Sequence, residues 1–324
     1  MPRQRSGEHL WIFKSRHMKT GFVKFALALL FVFAGMNAAN AQIARYKVAV
    51  EPFTAIKASN DFKVKMSKSN EYTVEVTVNE VLKEFVQLAV TEGVLHVYFE
   101  DKKVTAEIMK PFRGRNSPAP IFDVVVTCPA VIRDVSLEDN ASLLDFANVA
   151  DPEEIRLSVV ENAKITSADI ESKSASVSTA RRGACELKVK AENFKLDAKG
   201  SSSISIEQDV KDSEINIGTN ISLQLKGKAE TMNFNSSGTC KAILNGEADY
   251  ARFNIVGSSN INALNMKSKE ANVEMNSICM LSVTASDWIF INISNGASLT
   301  FAGEPQIHIN NVRNASVLRY KESE

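Results

Sequence analysis

The sequence predicts an all-β chain: a single-stranded, right-handed parallel β-helix, or β-solenoid, of about 19 residues per rung, behind an N-terminal β-rich region. Three observations predict it. Turn-forming residues recur at one period through the C-terminal two thirds, apolar columns keep step with them, and earlier segments alternate apolar with polar residues as strands do.

The chain opens on a targeting pattern. Met18, Lys19 and Lys24 form a basic start, Phe25–Ala34 is a ten-residue apolar run, and Ala39-Asn40-Ala41 is a small-residue cleavage site. That order marks residues 1–41 as a secretory signal peptide, with 1–17 an upstream extension and Met18 the expected initiator. The run is too short for a transmembrane segment, which needs about 20 apolar residues. The chain carries 38 basic and 38 acidic residues; residues 1–41 hold six of the basic and one of the acidic ones, so the exported remainder is net −5. A mildly acidic surface argues against nucleic acid as a partner, because phosphate contacts need a basic footprint.

Residues 43–129 read as the β-rich part. Phe62–Met66, Tyr72–Val78 and Val94–Phe99 alternate as strands, while Val81–Leu88 fits a short helix or a curved connection. Residues 101–120, with charges, Gly and three prolines, read as an exposed loop, and Ile121–Thr127 as a buried strand closed by Cys128-Pro129.

Residues 130–320 carry the repeat. Asn162, Gly200, Gly238, Gly257, Asn276, Asn295 and Asn314 are separated by multiples of 19, and the two skipped slots hold Arg181 and Thr219, the latter just before Asn220. Gly and Asn tolerate left-handed backbone angles, so this column is expected to be a recurring bend. Four residues after it come Thr166, Cys185, Ile204, Leu223, Ala242, Ile261, Met280, Leu299 and Leu318; six after it come Ala168, Leu187, Ile206, Leu225, Leu244, Ala263, Ser282, Phe301 and Tyr320. Two residues apart, both columns belong to one inward face. Before the bend, Ile215/Ile217, Phe253/Ile255 and Ile291/Ile293 alternate, and Val273/Met275 is displaced by one, predicting a bulge in that rung. No 19-residue unit can bury its own apolar face, so the units must stack. Nine residues after the bend, Glu171, Lys190, Asp209, Lys228 and Glu247 alternate in sign, as strands stacked ~4.8 Å apart would favour. A propeller blade needs ~40–45 residues and no leucine-rich consensus is present.

These patterns resemble a bacterial family common in Bacteroidetes and called "putative auto-transporter adhesin, head GIN domain". The resemblance runs over about residues 46–320, through Val50-Glu-Pro-Phe53-Thr-Ala-Ile56, Phe62–Met66, Tyr72–Val76, Gly93–Val97 and Val124–Pro129. The chain departs from it in the Asn, Arg or Thr at several bends and in a longer 101–120 segment. The resemblance implies adhesion or binding and carries no catalytic residues.

Chemistry is sparse. His96 and His308, the histidines beyond the targeting segment, read as structural, and no metalloprotease, nucleophile-elbow or phosphate-loop motif occurs. No catalytic, cofactor-binding or metal site is expected. Glu138-Asp139 and Asp151–Glu154 read as solvated turns, and Cys128, Cys185, Cys240 and Cys279 match no metal or disulfide framework and read as small buried hydrophobes. Trp288 with Phe290 fits either an aromatic filler at the end of the core or a surface on which a sugar ring stacks. The chain is therefore expected to be a non-catalytic exported protein of the periplasm, outer-membrane surface or medium, with a glycan or envelope protein as partner. Its rivals are a carbohydrate-active β-helix enzyme and a structural envelope component.

Overall fold

The computed structural model describes residues 42–146 and 149–320; the targeting pattern lies outside them. The N-terminal strands are β1 (Ile43–Ala49), β2 (Ala55–Ala58), β3 (Lys63–Lys68), β4 (Thr73–Asn79), β5 (Val86–Thr91), β6 (Val94–Phe99) and β7 (Phe122–Cys128). Then come β8 (Asp134–Leu137), β9 (Ser142–Phe146), β10 (Glu154–Glu161), β11 (Lys164–Glu171) and β12 (Ser174–Arg181). Five long bent strands follow: β13 (Ala184–Ala198), β14 (Ser203–Ile217), β15 (Ile221–Ser237), β16 (Cys240–Val256) and β17 (Asn260–Asn276). The last are β18 (Met280–Ser294), β19 (Ser298–Ala302), β20 (Gln306–Arg313) and β21 (Ser316–Arg319).

Each rung runs along one face of the solenoid, turns a corner, crosses the second face and bends back. The bent strands stack in parallel: Cys185 lies over Ile204, Ile204 over Leu223 and Leu223 over Ala242 on the first face. Leu196, Ile215, Phe234 and Phe253 do the same on the second. All eight are buried, forming one core between the faces, and the stack makes about ten turns.

The bends are the left-handed residues foreseen, with corrections at three. Positive φ occurs at Arg181, Gly200, Gly238, Gly257, Asn295 and Asn314, but at Glu161 rather than Asn162, Asn220 rather than Thr219, and Ser277 rather than Asn276. Rung length is thus not uniform. Gly257 to Ser277 is 20 residues and Ser277 to Asn295 is 18, so the 19-residue lattice is restored after two rungs. The extra residue enters where the β16–β17 register shifts past Ile243. The bulge therefore lies on the first face, and Val273 and Met275 keep their usual place four and two residues before the bend. The same slip turns Met280 outward and Leu281 inward, and puts Val283 in the core instead of Ser282. A shift between Ile165 and Ala168 likewise exposes Thr166 and buries Ile165. In the last rung Leu318 and Tyr320 point outward, and Val317 takes the inward place.

The N-terminal strands belong to the same stack. β2 lies between β6 and β8, and β3 between β7 and β9, all parallel, although Asn60 and its rung neighbour Asp139 are 79 residues apart. Residues 69–128, from β4 through β7, are thus an insertion that folds back over the first rung. β4 pairs antiparallel with β7 and β1, and β5 pairs antiparallel with β6 through a tight turn at Glu92-Gly93, both at positive φ. Residues Glu80–Phe85 form a 3₁₀ turn that buries Leu82 and Phe85, joining the helical and curved alternatives for that stretch. Residues 101–120 are not merely an exposed loop. Short helical turns at Asp101–Lys103, Ala106–Met109 and Lys110–Phe112 pack Val104, Ile108, Met109 and Phe112 against the core.

Candidate functional site

In β18, Ile289, Ile291 and Ile293 are fully buried, so strand alternation turns Trp288 and Phe290 outward. Trp288 sits in register between Glu270 and Gln306, and Phe290 between Asn272 and His308. The Trp288 and Phe290 rings are stacked, with centroids 5.9 Å apart and planes at 17°; His308 lies 5.6 Å from Phe290. Tyr250 occupies the Trp288 column one rung beyond Glu270. Trp288 is 37% and Tyr250 55% exposed. The two rings lie at the surface, their apolar faces edged in register by the amides of Gln306 and Asn272 and the Glu270 carboxylate. A sugar ring needs these two things, a flat apolar surface for its C–H face and hydrogen-bonding groups at the rim. His308, which reads from sequence only as structural, stands beside the aromatics; a period of 18 from Phe290 would have found that place.

The corner between the two faces forms a groove of about 990 Å³ along the stack. Its floor is small (Ala191, Val210, Ala229, Ala248), and charges rise on both sides. One wall is the foreseen ladder: Glu171, Lys190, Asp209, Lys228 and Glu247 stand in direct register, and Lys267 continues it. Lys190 Nζ donates to Glu171 at 2.7 Å, and this bond holds the Lys190 ammonium above its usual range. A second ladder, Asp169–Lys188–Glu207–Lys226, was missed, though it too is legible two residues earlier at the same period. There Lys226 lies 2.8 Å from Glu207, and its hydrogen bond holds that carboxyl below the ordinary carboxylate range. Beside the groove Gly227 and Gly246 stack at φ +121° and +128°; a Cβ on Gly246 would meet the Gly227 carbonyl oxygen at 1.8 Å. Successive backbones touch there, and only glycine allows it.

The acidic runs are not both solvated turns. Asp151 is buried, accepts a 2.6 Å bond from Arg133 Nε and a 2.9 Å bond from the Glu153 N–H, and its carboxyl is pulled below the ordinary range, chiefly by Arg133. Asp139 is itself a bend residue and accepts the Asn60 N–H at 3.0 Å. Asp151, Glu207 and Glu214 are all shifted downward by their hydrogen-bond partners, whereas a general acid for glycoside cleavage needs a raised pKa. His96 stands beside Lys57 on the outer surface, and burial, then Lys57, lowers its pKa. All four cysteines are buried and free, and burial pushes the Cys185 thiol up to about 12. Among the described residues no group of three or more His, Cys, Asp or Glu is placed to hold a metal ion, and no helix is long and apolar enough to cross a membrane.

No curated protein matches the chain. Among solved structures it is similar to a "putative adhesin" from Parabacteroides merdae, at 16% identity over 87% of this chain and 98% of that one, with a TM-score of 0.43. A "putative adhesin" from Parabacteroides distasonis has 15% identity over 86% and 98%, with a TM-score of 0.43. A "putative lipid binding protein" from the same organism has 15% identity over 87% and 98%, with a TM-score of 0.42. The profile of one family covers residues 52–208 and 195–305, and the chain belongs to that family, "putative auto-transporter adhesin, head GIN domain".

Proposed function

We propose that this chain is an exported, non-catalytic binding protein of the cell envelope that takes carbohydrate on the Trp288–Phe290–His308 surface. The observation that carries the proposal is the outward stacked pair, rimmed by Gln306, Asn272 and Glu270. Family membership supports adhesion as the general task, and the targeting pattern supports export. The downward-shifted carboxylates favour binding over the hydrolytic alternative. The test is a glycan array with the purified protein, followed by titration of any bound glycan against Trp288→Ala. Binding is expected to weaken roughly tenfold, the equivalent of about 1.4 kcal/mol. An array with no bound glycan, or a bound glycan indifferent to Trp288→Ala and Phe290→Ala, overturns the proposal.

A further inference from the structure

Aromatic and hydrogen-bonding side chains alternate along one outward column of the second face. Rung by rung the column carries Tyr250, Glu270, Trp288 and Gln306, each in direct register with the next. Tyr250 and Trp288 stand at the surface because Ala251 and Ile289, their neighbours in sequence, fill the core. The two rings belong to strands two rungs apart, a separation of about 9–10 Å at the usual spacing of stacked strands. The rung before Tyr250 holds Thr231 in this column, so the aromatic stretch begins at Tyr250. Glu270 is the one formal charge of the four. Two cations beside the column are engaged elsewhere: Lys269 Nζ lies 2.9 Å from Asp249, and Arg252 donates to Glu274 at 2.8 Å.

We propose that this column is a track for an unbranched β-1,4-linked glycan, which lies along the solenoid axis with one pyranose ring per rung. The inference rests on the carbohydrate reading of the Trp288 surface and adds to it the linkage, the direction of the chain and a second platform, Tyr250. A β-1,4-linked chain is a flat, nearly two-fold ribbon. Its successive rings advance by close to one strand spacing, and every second ring presents the same apolar face. Aromatic side chains on every second rung match that repeat. An α-1,4-linked chain coils away from a flat surface and cannot reach both rings. The ring between the platforms lies over Glu270, whose carboxylate accepts hydrogen bonds from hydroxyl groups, and a fourth ring lies over Gln306, whose amide both donates and accepts. Polyanionic glycans fit badly, because their charges would meet Glu270 while Lys269 and Arg252 are already paired. Trp288 is the stronger platform, since Phe290 stacks against it with centroids 5.9 Å apart, whereas Tyr250 is 55% exposed.

The test is calorimetric titration of the purified protein with cellobiose, cellotriose and cellotetraose, and with chito-oligosaccharides of the same lengths as a second backbone of the same linkage. Binding in either series supports the track. Affinity is expected to rise roughly tenfold from the disaccharide to the trisaccharide, the first length that reaches both Tyr250 and Trp288. Tyr250→Ala should bring the trisaccharide down to the disaccharide value, and Tyr250→Phe, which keeps the ring, should preserve the step. Trp288→Ala should weaken every length. Maltotriose, the α-linked trisaccharide, should gain nothing over maltose. Far-UV circular dichroism of each variant separates lost binding from lost fold. A glycan that depends on Trp288 but shows no step with length, or a step indifferent to Tyr250→Ala, overturns the track and leaves the Trp288 surface as the carbohydrate site. Failure of both β-1,4-linked series to bind, while another glycan on the array does, has the same meaning. Binding that ignores Trp288→Ala overturns both readings.

Discussion

The two ends of the stack are made from the same kind of rung and finished in opposite ways. At the N-terminal end, residues 69–128 are inserted between two rungs and fold back over the first: Phe62, Phe99 and Phe122 meet edge to face, and Leu82 and Phe85 close the layer above them. In the last rung of the described residues, by contrast, β20 is exposed along its whole length. A rung buries its inward side chains only when another layer lies on it. Apolar columns therefore determine the interior of a solenoid but not its termination, which requires dedicated sequence.

The largest expected effect contrasts one residue from each end. Phe62→Ala should lower stability by about 3–5 kcal/mol, since a fully buried ring is lost from a close-packed layer. Ile309→Ala, more than half exposed, should stay within about 1 kcal/mol. Urea titrations of both variants measure the difference, and equal losses would break the contrast. Amide exchange sharpens it strand by strand. β20 and β21 amides should exchange through local fraying, while β3 and β7, paired on both sides, should open only with the global transition. Uniform protection along the stack would contradict an open end.

Between the ends, the corner at Asp151 ties the insertion's neighbouring rungs to the regular stack. Its carboxyl is depressed in the folded state, so its contribution is present above the ordinary carboxylate range and is lost as pH falls through the folded value. Asp151→Asn should cost about 1–2 kcal/mol at neutral pH, the worth of a charge-assisted hydrogen bond in a buried position. The variant should also flatten the decline in stability below about pH 4. A parallel acid limb in wild type and variant would show that Asp151 is not the titrating group.

What the sequence disclosed follows from which forces are periodic. Gly238, Gly257 and Asn295 were legible as bends because a left-handed turn recurs and few residues favour it. Asn162 and Asn276 misled by one position because a stacked rung can hold Glu161 or Ser277 left-handed against their preference when the ladders on either side fix the path. Trp288 and Phe290 were legible as candidates, and their outward direction follows from Ile289, Ile291 and Ile293. The insertion was not legible, since pairing of Asn60 with Asp139 leaves no local trace. Nor was the cap at 104–112, whose apolar residues are scattered among charges. The repeat pattern also does not say whether the final rung has a neighbour.

The smallest effect concerns the regular middle, where neither cap nor open end contributes. Asp209 lies in register between Lys190 and Lys228. Asp209→Lys would place three ammonium groups in a column at strand spacing, with Glu171 and Glu247 left to neutralise the outer two. The groups are exposed, so the loss should be no more than about 1 kcal/mol at low ionic strength. It should fade as salt shortens the screening length toward ~3 Å at 1 M. A loss that persists in high salt would mean that Asp209 acts through packing at the groove and not through its charge. The alternation along the column would then be a consequence of the repeat, with no part in holding one rung over the next.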